Sequence, residues 1–174
     1  MNAAEAWGTL MNLKRDMETT PAEEPEPARM TEAEKVRRFI LAGNATFTLV
    51  SRKTGTRFTF QVRASRASDA ERANPRLWFV SVLTGSDNEG DFSYLGTIHG
   101  GAALWWRHGV KSRIADDAPS ARAFAWFWEK LAKTGGIPET LEFHHAGKCG
   151  RCGRKLTVPE SVTTGLGPEC ATRS

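Results

Sequence analysis

Four segments between residues 46 and 98 have the hydrophobic patterns of β-strands. In residues 46–51 and 57–63, large apolar side chains alternate with polar ones, as expected for strands that bury one face. Residues 77–83 form an apolar run, and residues 92–98 return toward it after a turn that contains glycine. Because a polar turn joins the first two segments and another joins the last two, the pattern predicts two hairpins in a four-stranded, mostly antiparallel sheet.

Two further segments have the helical period of hydrophobic residues. The first begins at a capping box in residues 31–34 and ends near Gly43. The second begins near Pro119 and ends at Gly135. Their apolar stripes consist of Val36, Phe39 and Ile40 in the first helix, and of Phe124, Phe127, Trp128 and Leu131 in the second. The sequence therefore predicts an α+β fold in which two helices pack on the four-stranded sheet.

The first thirty residues differ in composition from the rest of the chain. Residues 19–28 are rich in proline and glutamate and have nothing to bury, so residues 1–30 are predicted to form a flexible, disordered tail. Within residues 1–18, apolar residues recur at roughly helical spacing, which is consistent with a short docking helix or with a frayed segment. The predicted domains are this tail, an α+β domain at 31–140, and a small C-terminal module at 141–174.

Charge is distributed unevenly along the chain. The formal net charge is +4, but residues 1–30 contain three basic and six acidic residues and carry −3, which leaves +7 on residues 31–174. A basic body favours an anionic partner, of which nucleic acid, DNA or RNA, is the commonest. The alternative is a basic surface that only maintains solubility, because the Lys and Arg residues are scattered rather than grouped.

The same composition disfavours membranes and oxidising compartments. The chain lacks a run of about 18 apolar residues and has no basic stretch followed by an apolar core at its start, so neither a membrane span nor a secretory signal is predicted. The three cysteines cannot all pair as disulfides, and all lie within residues 149–170. Together these features favour a reducing, cytoplasmic location.

The three cysteines have the spacing of a metal site. Cys149 and Cys152 enclose two residues, a spacing at which two thiolates bind one tetrahedral zinc ion, and Cys170 adds a third thiolate after a glycine-rich loop. Residues 144–174 contain few large apolar side chains, whereas structural zinc contributes about 10–16 kcal/mol in comparable peptides. One structural Zn²⁺ is therefore predicted. The alternatives are three unmetallated cysteines or a redox dithiol.

A fourth ligand is expected upstream of the cysteines, because only four residues follow Cys170. His145 leaves a gap of three residues before Cys149, and His144 a gap of four, and both spacings are workable. His145 is preferred because the Ala-Gly dipeptide after it permits a sharp turn. The predicted ligands are His145, Cys149, Cys152 and Cys170, with His144 as the alternative to His145. A closed site of this kind leaves no position for a substrate.

The C-terminal sequence also resembles a known module. Residues 145–161, HAGKCGRCGRKLTVPES, and residues 165–170, GLGPEC, are similar to a C-terminal zinc-ribbon-like module in uncharacterised proteins of bacteriophages and prophages, a family with a domain of unknown function. The region from residue 39 to residue 98 resembles the usual partner of that module, so the resemblance covers about residues 36–174. It implies a phage origin and a bound zinc ion, and it leaves the activity open.

Aromatic and basic residues are predicted to form the binding surface. The chain contains six Trp and nine Phe, and residues 105–107 place two tryptophans beside an arginine. Single-stranded nucleic acid is commonly held by aromatic side chains that stack on its bases. Packing in the core is the alternative; it is favoured for Phe58, Phe60, Trp78 and Phe127 and left open for Trp105, Trp106 and Trp126. The predicted surface consists of Trp105, Trp106, Arg107, Lys148, Arg151, Arg154 and Lys155.

No catalytic motif is present in the sequence. It contains neither a phosphate-binding loop nor a zinc-protease helix, and its loop carboxylates form no recognisable metal set. We therefore predict a non-enzymatic phage accessory protein that binds nucleic acid with low sequence specificity in the host cytoplasm, and we infer no small-molecule substrate. The alternative is a protein-binding adaptor, or an inhibitor of a host defence or nucleic-acid-processing complex, comparable in role to an anti-CRISPR protein.

Overall fold

Residues 28–173 are described by a computed structural model, and their strands join in one antiparallel sheet. In chain order the strands are β1 (Ala28–Met30), β2 (Asn44–Ser51), β3 (Arg57–Ala64), β4 (Leu77–Leu83), β5 (Phe92–His99), β6 (Trp105–His108) and β7 (Leu141–His145). Across the sheet they follow the order β1-β7-β2-β3-β4-β5-β6. The helices are α1 (Ala33–Leu41), α2 (Asp69–Ala73), α3 (Pro119–Thr134), α4 (Pro159–Thr164) and α5 (Pro168–Thr172).

The prediction of a four-stranded sheet with two packed helices is wrong. The four predicted strands exist as β2 to β5, but the sheet has seven strands and the described residues form five helices. The additional strands are short: three residues in β1, four in β6 and five in β7. Strands of this length depend on pairing with neighbours, here β2 for β7, β7 for β1 and β5 for β6.

The two predicted helices begin and end for different reasons. The predicted capping box of α1 is wrong, because Glu32 is the N-cap residue and no side chain caps the helix. Glu32 instead pairs with Lys35 at 2.6 Å. Helix α3 has the predicted ends: Pro119 occupies the first turn, where a missing N–H is harmless, and Gly135 ends the helix with a φ of 62°.

Helices α1 and α3 pack on the same face of the sheet and share one hydrophobic core with it. At its centre the Phe47 ring lies 4.6 Å from that of Phe143, 5.9 Å from that of Phe60 and 6.2 Å from that of Phe127, measured between centroids. The predicted apolar stripes of both helices are buried in this core. Trp126, which lies off the stripe of α3, is 40% exposed.

The opposite face of the sheet, called the open face below, carries the alternate strand positions, and none of its side chains is buried. The residues on this face include Arg29 on β1, Glu142 and His144 on β7, Thr46 on β2, Arg57, Gln61 and Arg63 on β3, Phe79 and Ser81 on β4, Phe92 and Tyr94 on β5, His99 at the end of β5, and Trp105 and Arg107 on β6.

Strand β7 places the start of the predicted C-terminal module inside the sheet, between β1 and β2. Residues 28–30, assigned from sequence to the tail, pair with β7, and Met30 is buried. The rest of the predicted tail, including the candidate docking helix at 1–18, lies outside the described residues. Among the helices that the structure describes, none is both long enough and apolar enough to cross a membrane.

Candidate metal centre and open face

A tight turn after β7 brings Cys149 and Cys152 together. The Cys149 N–H donates to the carbonyl of Arg154 at 2.8 Å, and the Gly153 N–H donates to the carbonyl of Cys149 at 2.9 Å. Gly153 has a φ of 75°, a left-handed conformation that glycine adopts without steric cost. The backbone of this turn, called the knuckle below, therefore favours glycine at position 153.

Helix α5 brings the third cysteine to the knuckle. Cys170 lies in the middle of this helix, and the N–H of its N-cap residue, Gly167, donates to the Cys149 sulfur at 3.4 Å. The ligand atoms of Cys149, Cys152 and Cys170 all lie within 4.8 Å of one another. This arrangement, called the sulfur cluster below, is buried at Cys149 and exposed at Cys152.

The environment of the sulfur cluster shifts the pKa values of two of its thiols in opposite directions. Burial raises the pKa of Cys149, but the backbone N–H groups of Cys152, Gly167 and Arg151 outweigh it and lower the pKa to about 7. Burial, followed by the contacts with the other two thiol groups, raises the pKa of Cys170 to about 11. The close packing of the three thiols thus opposes the ionisation of Cys170, as expected when like charges share a site.

The donor set fits a metal ion that prefers sulfur. Four ligands at about 2.3 Å from a tetrahedral zinc lie about 3.8 Å apart, which agrees with sulfur atoms that all lie within 4.8 Å of one another. A cation at this position would also remove the repulsion between thiolates. The three cysteines are therefore capable of binding a metal ion, and they provide three of the four ligands that a closed zinc site needs.

The structure does not bring His145 into the sulfur cluster. Its side chain is fully buried, and both ring nitrogens have other partners. Nε2 donates to the carbonyl of Val162 at 2.7 Å, and Nδ1 accepts from the N–H of Gly147 at 3.0 Å. A carbonyl only accepts and an N–H only donates, so these contacts define a neutral ring with the proton on Nε2. Burial, the largest cause, lowers the pKa of His145 and favours the same neutral form.

His144, the alternative ligand, lies on the open face. Its Nε2 donates to the Glu142 carboxylate at 3.0 Å, and Arg29 and Arg52 approach the same carboxylate at 3.6 and 3.1 Å. The hydrogen bond from His144 is the largest of the causes that lower the pKa of Glu142. Because adjacent strand residues point to opposite faces, only one of the two histidines faces the C-terminal module. Neither histidine belongs to the sulfur cluster that the described residues form.

Phe39 of α1 joins the sulfur cluster region to the sheet. Its ring lies against Gly150 in the knuckle and Gly165 before α5, where a Cβ on either glycine would contact it too closely. The Asn44 N–H at the start of β2 donates to the Gly150 carbonyl at 2.6 Å. A small core of Cys149, Leu156 and Leu166 completes the attachment.

The predicted basic residues of the C-terminal module have different roles. Lys148 pairs with Glu89 of the β4–β5 loop at 2.9 Å. Arg151 donates to the Cys170 carbonyl at 3.2 Å and to the Arg173 carbonyl, so it satisfies the C-terminal end of α5. Arg154 and Lys155 are exposed. Lys148 is exposed as well, but its charge is paired, whereas Arg154 and Lys155 form no ion pair among the described residues.

The alternation along β6 separates the two predicted tryptophans. Trp105 and Arg107 lie on the open face, where Trp105 is 49% exposed and stacks on the His99 ring at 4.2 Å and 9°. Trp106 faces the core, with its ring 4.7 Å from that of Phe124. The predicted surface therefore keeps Trp105 and Arg107 but not Trp106.

The neighbouring open-face residues on β3 and β4 are not among the residues predicted from sequence to form the binding surface. Phe79 is 43% exposed beside Arg63, its partner across the strands, and lies 6.5 Å from the Tyr94 ring. The alternation in β3 indicates which of its residues lie on the open face, because its polar positions include Arg57, Gln61 and Arg63. The sequence of β4 gives no such indication, because its apolar residues are nearly continuous and do not show which face of the strand is covered.

Comparison with known proteins gives one match. Residues 139–174 match a family described as "Family of unknown function (DUF6011)". The match covers β7, the sulfur cluster and both helices that follow it, so this end of the chain is similar to a domain of unknown function, and its three cysteines could hold a metal ion. No curated protein and no solved structure matches the chain.

Proposed function

We propose that the chain binds single-stranded nucleic acid on the open face of its sheet, with low sequence specificity. The observation that carries this proposal is the pairing of exposed aromatic rings with arginines on one uncovered surface. Trp105 and Phe79 are 49% and 43% exposed and lie on this face, next to Arg107 and Arg63 respectively. Bases stack on such rings at about 1–3 kcal/mol each, and every base has a face that stacks.

The charges on the open face support the same partner. Arg57, Arg63 and Arg107 form no ion pair within residues 28–173. Glu142, the acidic residue on β7, is offset by Arg29 and Arg52. The face is thus left with unpaired guanidinium groups, which bind phosphate in a bidentate manner and release counterions when they do so.

A single structural zinc ion completes the proposal. Cys149, Cys152 and Cys170 would hold it, and its role would be to fix the knuckle and α5 against α1. Neither of the histidines predicted as the fourth ligand lies in the cluster that the described residues form. We propose a non-enzymatic binding protein, because the sequence contains no catalytic motif and its loop carboxylates form no recognisable metal set.

The biological setting follows from the resemblance noted in the sequence. A bacteriophage origin and action in the host cytoplasm belong to the proposal on that ground alone. The alternative of a protein-binding adaptor or host-defence inhibitor uses the same exposed rings, but no contact in the structure favours it over nucleic acid.

The proposal is tested by fluorescence anisotropy with short labelled single strands at increasing salt. The unaltered protein should bind at low salt and weaken steeply as salt rises. Trp105→Ala should weaken binding about 5- to 150-fold, corresponding to the loss of one stacked base. Trp126→Ala is the matched control, because this tryptophan is 40% exposed but lies on α3 and away from the open face, and it should bind normally. Absence of binding at low salt would refute the proposal.

A further inference from the structure

The open face contains a depression of about 220 Å³ between β3, β4 and the loop that joins β4 to β5. Phe79 and Phe92 supply aromatic surface to it, Gln61 and Ser81 supply polar groups, and Glu89 and Gly90 form the side next to the loop. Pockets for drug-sized molecules are about 300–1,000 Å³. This depression therefore suits a flat group smaller than a typical small-molecule ligand.

The polar groups in the depression are available to a ligand. Gln61 and Ser81 face each other directly across β3 and β4. Within the described part of the chain, neither side chain forms a hydrogen bond. An amide and a hydroxyl each both donate and accept, so together they match the mixed donors and acceptors on the edge of a nucleobase.

The loop beside the depression is held in place by its own hydrogen bonds. The Asp87 N–H donates to the Asp91 carboxylate at 2.9 Å, and the Glu89 N–H donates to the Asp87 carboxylate at 2.9 Å. Lys148, next to the sulfur cluster, pairs with the Glu89 side chain at 2.9 Å. These contacts shape the wall of the depression before any ligand binds, which reduces the ordering cost of binding.

We propose that this depression is a subsite for one base of the bound single strand, which rests on the proposed nucleic-acid function. The base stacks on Phe79, its edge contacts Gln61 and Ser81, and its phosphate lies toward Arg63. Arg63 is exposed, lines the depression and is the cross-strand neighbour of Phe79, so its guanidinium group is available to the phosphate of the stacked nucleotide. Glu89, the acidic residue that lines the depression, is paired with Lys148.

The test compares the affinities of short homopolymeric strands of adenine, cytosine and thymine, measured by anisotropy at one salt concentration. Phe79→Ala should weaken binding of all three by about fivefold or more. Gln61→Met, which keeps the shape and removes the amide, should change their ranking by about two- to tenfold. Trp126→Ala is again the matched control, because this exposed aromatic residue lies on α3 and away from the open face, and it should leave affinities and ranking unchanged.

The outcomes separate the subsite from the general function. If the strands bind to the unaltered protein and Trp105→Ala weakens them, but Phe79→Ala and Gln61→Met have no effect, the subsite is wrong while the general function stands. If no strand binds the unaltered protein, both proposals are wrong. Circular dichroism of each variant verifies that it folds. Phe79→Ala should fold, because the Phe79 side chain is partly exposed and contributes little to the core.

Discussion

At the scale of single residues, two side chains that were predicted to bind the same metal ion have different roles. Cys149 lies in the sulfur cluster, and its sulfur accepts the N–H of Gly167. His145 uses both ring nitrogens to connect the residues after β7 with α4, and its ring packs 5.5 Å from that of Phe39. A ring nitrogen that donates to a carbonyl cannot also coordinate a metal ion, so in this geometry His145 is a structural residue.

Substitution of His145 distinguishes a structural role from a ligand role. His145→Leu should lower the free energy of unfolding by about 1–3 kcal/mol, because the Gly147 N–H and Val162 carbonyl lose their partner in a buried site. Its zinc content by elemental analysis should stay at one ion per chain, whereas Cys149→Ser should lose the ion. His144→Leu is the matched control for the loss of an imidazole, because His144 is half-buried and lies on the open face. A folded but zinc-free His145→Leu protein would show that His145 is a ligand.

At the scale of elements, the attachment of the knuckle to the sheet depends on close backbone approach to α1. Gly150 and Gly165 both lie against the Phe39 ring, and the Gly150 N–H donates to the Gly165 carbonyl at 2.9 Å. The segment before α5 therefore reaches the knuckle only because two side chains are absent. This contact also explains why a nearly coreless segment has a defined position.

Substitution of two glycines that have the same backbone conformation distinguishes the cost of backbone strain from the cost of steric overlap. Gly165 and Gly55 both have a φ of 71°, but a Cβ on Gly165 would overlap the Phe39 ring, and one on Gly55 would meet no atom within 4 Å. Gly55→Ala should lower the free energy of unfolding by about 1–2 kcal/mol from strain alone. Gly165→Ala should cost about 1–3 kcal/mol more from overpacking. Urea denaturation measures both, and equal losses would contradict the close packing of Phe39.

At the scale of the whole molecule, the described residues form two cores of very different size. Twenty buried residues form the core between the sheet and the helices, and three form the core around the sulfur cluster. Strand β7 belongs to the large core through Phe143, although the chain enters the C-terminal module directly after it. We therefore expect the large core to persist without the metal ion, whereas the small core has little other source of stability.

Removal of the metal should therefore affect only one part of the molecule. With a chelator, backbone amides in residues 147–172 should lose protection in hydrogen–deuterium exchange, while those of β2 to β5 remain protected. Cys149→Ser should give the same pattern without chelator, which controls for effects of the chelator itself. Cooperative loss of protection throughout the sheet would show instead that the sulfur cluster stabilises the entire fold.

Long, strongly patterned elements were predictable from the sequence. Strand β4 has its predicted bounds, and β2, β3 and β5 differ from theirs by one or two residues. Helix α3 begins at Pro119, and Gly135 is its C-cap, as predicted. These segments carry their own signals in periodicity and end residues. β1, β6 and β7 carry too few residues for such a signal. They form strands because their backbones pair with the free edge of a longer neighbouring strand.

The sequence by itself determined the proximity of Cys149, Cys152 and Cys170, because the short knuckle and the glycine-rich loop before Cys170 restrict where the backbone can go. Only the tertiary structure decided which side chains share a surface. A one-residue step along a strand reverses the face, so Trp105 lies on the open face and Trp106 in the core, and His144 and His145 separate in the same way. The face that the helices cover depends on contacts between residues far apart in the chain, and local patterns do not record those contacts.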